Sequence, residues 1–206
     1  MAASLLCSFP VRASQGPAVR QDRGFSLIEL LVTTALIVIV SAMAVPLMTN
    51  ASDAIKLSQA TRQVERELQT ARLKAVSVNQ PMRIRFDCPA AKQYRMVELV
   101  GTPSVPAATD SAANRCSLAN FPYPAADKDM LTRPNNDGPL RQIEASVSFQ
   151  QSTTIEFWPD GSAHSNTGGV NPWPTIASPG TNIILVRNGK TRTVLVNGVG
   201  KVQLLP

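Results

Sequence analysis

Residues 24–48, GFSLIELLVTTALIVIVSAMAVPLM, form a nearly unbroken apolar run with one acid in it, Glu29. A helix of about 20 such residues crosses a bilayer, so this segment is long enough to span one. A carboxylate buried at the bilayer centre costs about 3 kcal/mol. Glu29 lies near one end of the run, where the cost is smaller, yet it still calls for a positive partner. Cutting the chain between Gly24 and Phe25 would supply one. The new α-ammonium of Phe25 would lie one helical turn from Glu29, in the same chain or in a neighbouring copy.

Three other readings of the run remain. An ordinary secretory signal would use the A-x-A site at Ala42-Met43-Ala44, but Glu29 inside the apolar stretch and the length of that stretch oppose it. A plain membrane anchor needs neither the Gly24-Phe25 junction nor Glu29. A buried core helix is a poor fit to a run this long and apolar.

Gly24-Phe25-Ser26-Leu27-Ile28-Glu29, preceded by Arg23, resembles the class III signal of type IV pilins and pseudopilins. The resemblance extends through the run to Pro46, the twenty-second residue counted from Phe25, where pilins similarly carry a proline. It implies that a prepilin peptidase cuts after Gly24 and that Phe25 is N-methylated. It also implies that the apolar helices bundle in a filament core, delivered there by an inner-membrane assembly platform. Residues 1–24 are then a leader, long for this class, and an internal start codon would leave the mature chain unchanged.

Arg12, Arg20 and Arg23 precede the run, so the positive-inside tendency keeps the leader cytoplasmic and sends the rest across the bacterial inner membrane to the periplasm. The 20 basic and 14 acidic residues give a net charge of +6; loss of these three arginines and Asp22 leaves 17 and 13, or +4. That mild excess suits a surface near anionic lipid or polymer. Cys7 goes with the leader, while Cys88 and Cys116 remain as an even pair in an oxidising compartment. A bridge between them is favoured over two buried thiols. It would close a loop of about 29 residues and stabilise by roughly 3.6 kcal/mol in the chain-entropy model.

Residues 25–78 read as one long helix, membrane-spanning to about 48 and amphipathic beyond. Val64, Leu68, Ala71, Ala75 and Val78 recur at helical spacing, with Gln63, Glu65, Arg66, Gln69 and Arg72 on other faces. At 1.5 Å per residue it would run about 80 Å. Its polar half must therefore continue into a folded domain. Pro46 removes one backbone hydrogen bond and is expected to kink or loosen the junction.

Residues 79–206 read as a β-rich periplasmic domain. Gln80-Pro81 stops the helix. Strands are expected at 82–87, 94–100, 145–149, 153–158, 182–187, 191–196 and 202–205, with a turn at Pro159-Asp160-Gly161 and a hairpin at Asn188-Gly189-Lys190. Residues 102–137 form a Pro- and Ala-rich excursion whose length suggests exposure. The fold class is α+β: a long N-terminal transmembrane helix packed on an antiparallel sheet. Ile155-Glu156-Phe157, Asp160-Gly161, a glycine pair, Arg192-Thr193-Val194-Leu195-Val196 and Gly200-Lys201-Val202 are similar to the H-type pseudopilin and FimT family. That resemblance implies a minor subunit of a type II secretion pseudopilus or a type IV pilus.

Chemistry beyond assembly is sparse. His164 is the one histidine, and with Asp160 and Ser162 it reads as a solvated turn instead of a triad. Zinc ligands are too few. Asn135-Asn136-Asp137-Gly138 lacks the acidic spacing of a calcium loop, no phosphate-cradling loop is present, and no cofactor is expected. FimT-like relatives bind DNA through a basic C-terminal motif. Here Arg187, Lys190, Arg192 and Lys201 are the candidates, against the reading that they guard a solvated sheet edge.

Overall fold

The computed structural model describes residues 25–117, 136–166 and 169–205, apart from the side chains of positions 46 and 47. The leader, with Cys7, Arg12, Arg20, Arg23 and Gly24, lies outside the described residues, as do 118–135 of the excursion. One helix, α1, covers Leu27–Val78 without a break at position 46. The chain divides there into two compact units, residues 1–45 and 46–206.

In the first unit every described side chain is exposed. The hydroxyls of Thr33 and Thr34 donate to the carbonyls of Leu30 and Leu31, both at 3.0 Å, so neither needs an outside partner. By length and composition this part of α1 can cross a membrane.

In the second unit α1 carries the apolar stripe Leu57, Ala60, Val64, Leu68, Ala71 and Ala75, all buried. The helix ends on Asn79, whose positive φ of 55° lets Gln80 N–H bond back to the Ala75 carbonyl at 3.3 Å. This is a Schellman-type stop, and Pro81 cannot prolong the helix.

Among the described residues nine strands follow: β1 Met82–Phe86, β2 Gln93–Glu98, β3 Arg141–Gln142, β4 Ser148–Gln151, β5 Ile155–Phe157, β6 Ala163–Ser165, β7 Thr181–Arg187, β8 Lys190–Val196 and β9 Val202–Leu205. They form two antiparallel sheets, ordered β3-β2-β1-β5-β6 and β4-β7-β8-β9, instead of a single sheet. The helix stripe shares one core with Met82, Ile84, Tyr94, Met96, Ile155 and Phe157 of the first sheet and Ile183, Leu185, Val194 and Val196 of the second. Phe86, Tyr94 and Phe149 meet where the sheets approach, their rings 5.2–6.1 Å apart.

Strand β4 begins three residues later than expected, because residues 144–147 make a turn. Val147 N–H bonds to the Glu144 carbonyl at 2.9 Å, and the Glu144 carboxylate takes Ser146 N–H. The β7–β8 hairpin turns on Asn188 and Gly189, both at positive φ (46° and 75°), as a tight two-residue turn requires.

The described part of the excursion is exposed at many positions, as its length suggests, but it is also anchored. It makes a 3-10 turn at Ala108–Ser111 and buries Asp110, Arg115 and Cys116 against the first sheet. Three backbone N–H groups, of Val100, Gly101 and Ala107, donate to the Asp110 carboxylate at 2.7–3.1 Å. Cys88 and Cys116 are bridged, their Cα atoms 5.6 Å apart.

Leu68 is fully buried and Leu73, on the same helix, is 70% exposed. Leu68→Ala is therefore expected to lower unfolding free energy by about 2–5 kcal/mol. Leu73→Ala should change it by no more than about 0.5 kcal/mol. Urea unfolding of the full chain in detergent, followed by far-UV circular dichroism, checks both.

Candidate functional site

Glu29 lies in the first turn of α1, where the positive end of the helix dipole favours an acid. It is exposed, as are Phe25, Leu27, Ile28, Leu30 and Leu31 around it. Among the described residues no cation pairs with its carboxylate.

His164 is not on a solvated turn. It lies in β6, is 4% exposed, and its ring stacks on Trp158 at 3.7 Å and 11°. Ala163-His164-Ser165 follows the Asp160-Gly161 turn directly and is too short and too polar to read as a buried strand, though all three residues are buried. Ser162 Oγ bonds the Asp160 carboxylate at 2.5 Å and faces His164 Nε2 at 2.8 Å. His164 Nδ1 donates to the Trp173 carbonyl, also at 2.8 Å. The order is Asp–Ser–His, with the carboxylate on the serine and not on the imidazole. That is the wrong order for a Ser-His-Asp relay. The bond from Ser162, reinforced by its backbone N–H, holds the Asp160 carboxyl below its ordinary value. The network fastens the β5–β6 hairpin. Arg72 of α1 caps the same corner, donating to the carbonyls of Gly161 and Val199, both at 3.0 Å. Gly200 packs here at φ 73°, and a Cβ on it would come within 2.2 Å of the Gly161 oxygen.

The four basic candidates do not form one patch. Arg187 is 8% exposed and fully engaged, its guanidinium bonding Asp53 of α1 at 2.7–2.8 Å and Glu144 at 2.8 Å. Lys190 reaches the Asn50 carbonyl at 3.2 Å, and Arg192 is exposed beside it. Lys201 precedes β9, at the far end of the seven-residue β8, roughly 20 Å away at 3.3 Å per residue. The basic end of the β7–β8 hairpin is thus a clasp on the helix.

Asn136 and Asp137 are equally committed. Asn136 donates twice to Glu98, at 3.0 and 3.1 Å. The Asp137 carboxylate bonds Arg115 and lies 3.8 Å from Arg95. No group of His, Cys, Asp and Glu among the described residues could hold a metal ion. Asn135 lies outside the described residues.

Three buried or half-buried arginines on the outer face of the first sheet, Arg83, Arg85 and Arg95, and a fourth, Arg115, in the segment over it, were not legible as a group. The alternation Met82-Arg83-Ile84-Arg85 reads as one apolar and one solvated face. The segment 99–117 covers that second face.

The model of the prokaryotic N-terminal methylation motif matches residues 19–45 of this chain. No curated protein matches the sequence. Two solved structures are similar, both crystal forms of the type IV minor pilin FimU of Pseudomonas aeruginosa strain PAO1. The P21 form has 16% identity and a TM-score of 0.43, covering 75% of this chain and 92% of that one. The P65 form has 16% identity and a TM-score of 0.39, covering 73% and 93%.

Hydrogen bonds from Asn188 and then Arg187 hold the Asp53 carboxyl below its ordinary 3.8. A depressed carboxyl contributes stability above its unfolded-state value and loses it as pH falls through the folded value. Asp53→Asn should therefore melt below the wild type at pH 7, and the gap should close as pH drops below 3.8. Thermal melts of both chains across that range provide the check.

Proposed function

We propose that this chain is a minor pilin-type filament subunit, processed at the inner membrane and assembled with other pilins or pseudopilins. Prepilin peptidase removes residues 1–24, and Phe25 is methylated on its new amino group. The subunit then enters a type II secretion pseudopilus or a type IV pilus through the assembly platform, and serves protein secretion or pilus assembly. Its role is structural, not enzymatic.

The observation that carries this reading is Glu29, exposed and without a cation among the described residues, in the apolar start of α1 and within the stretch that matches the methylation motif. Before assembly the apolar side chains rest in lipid. In the filament they rest against the same segments of neighbouring copies. Lipid tails and Leu side chains are similarly apolar, so the transfer is nearly neutral in the hydrophobic term. What distinguishes the two settings is the pairing of Glu29 with the Phe25 ammonium of its own or an adjacent chain. Pro46 fits this picture as a point where the helix can loosen on transfer.

Glu29→Ala should be cleaved at close to the wild-type rate, since the scissile junction is untouched. Its incorporation should fall at least tenfold, the factor that about 1.4 kcal/mol of lost pairing produces. Immunoblots of membrane and sheared-filament fractions read both quantities. Normal incorporation of the variant would remove Glu29 from the assembly step.

A further inference from the structure

The outer face of the first sheet and the segment over it gather four arginines beside a polar cavity. Of these four, three have carboxylate partners. Arg83 bonds Glu156 through Nε and Nη2 at 3.2 and 2.9 Å, and Arg95 and Arg115 share Asp137. Arg85 has none among the described residues. Its bond is a single one, from Nη1 to the Ala112 carbonyl at 2.6 Å. Nearby acids make their hydrogen bonds to other groups. Asp110 holds three backbone N–H groups, and Glu156 also takes Trp158 Nε1 at 2.7 Å. Asp87 takes Lys92 N–H and the Ser152 hydroxyl. Burial, and then the like charges of Arg83 and Arg115, push the Arg85 guanidinium below its ordinary value.

Arg85 and Arg83 line a cavity of about 340 Å³ together with Ser111, the hydroxyl run Ser152-Thr153-Thr154, and Asn166. Trp173 forms one wall and is held there by Arg83, whose guanidinium carbon sits 4.1 Å from the ring centroid. A half-buried guanidinium that makes one hydrogen bond among the described residues, with the Thr153 and Thr154 hydroxyls beside it, is a donor set that can receive a tetrahedral oxyanion. The volume is at the small end of the range for ligand sites, about 300–1,000 Å³.

We infer that this cavity is an anion site, in which Arg85 and the Thr153 and Thr154 hydroxyls bind a phosphate group, free or carried on a small monoester. The bound anion supplies a direct charged partner, which Arg85 lacks among the described residues. The site lies on the sheet face turned away from α1 and is independent of Glu29 and Phe25, so it stands or falls apart from the assembly reading.

The test uses the full chain in detergent, titrated with inorganic phosphate and, in a separate arm, with glucose 1-phosphate, at constant ionic strength set with chloride. Tryptophan fluorescence reports through Trp173, and calorimetry gives the affinity. Saturable one-to-one binding is expected in at least one arm, and the tighter arm identifies the free or esterified form. Arg85→Gln should weaken it by about tenfold or more, the loss typical of one charge-assisted contact. The double variant Thr153→Val with Thr154→Val should weaken it while melting like the wild type, which covers the case in which Arg85→Gln fails to fold. Arg192→Gln, on the other sheet, should bind as the wild type does. No saturable binding in either arm, or equal affinity in the wild type and the folded site variants, overturns the assignment.

Discussion

A single helix with two surfaces sets the terms for the described chain. From residue 57 to residue 75 its apolar stripe is buried, and both sheets contribute side chains to that burial. From residue 27 to residue 45 its apolar side chains have no cover at all. Burying one aliphatic side chain is worth about 1.5–3 kcal/mol, so neither surface is left in water at small cost. The first is answered within the chain. The second is suited to lipid or to other apolar helices, and in the proposed assembly Glu29 within it meets a cation.

The clasps around the buried half follow the same logic. Arg72 ties α1 to the corner made by Gly161 and Val199, while Arg187 and Asn188 tie it to the β7–β8 hairpin through Asp53. These polar contacts sit at the margins of an apolar interface, where they fix register more than they add stability. On the opposite face of the first sheet, the disulfide and the Asp110 and Asp137 carboxylates hold a covering segment over buried arginines. A network of that kind is sensitive to the loss of any one partner, because the remaining charge stays buried.

The helix, its stop before Gln80-Pro81 and the apolar faces of β1, β7 and β8 were legible in the sequence because each rests on local periodicity or turn chemistry. The methylation motif was legible because its residues are contiguous. The split into two sheets was not, since β3 and β6 are two and three residues long and owe their existence to pairing with distant strands. The burial of His164 was missed for that reason. Arg187 looked like a free surface charge because its partner Asp53 is 134 residues away. The arginines under the excursion looked solvated because alternation identifies a second face without saying what covers it.

The central claim is that a free, methylated Phe25 amine answers Glu29. Intact-mass measurement of the protein recovered from membranes of cells with an active prepilin peptidase tests it most directly. The account predicts a chain that begins at Phe25 and carries one added methyl group. A chain that retains residues 1–24, or one that begins at Val45, would contradict it.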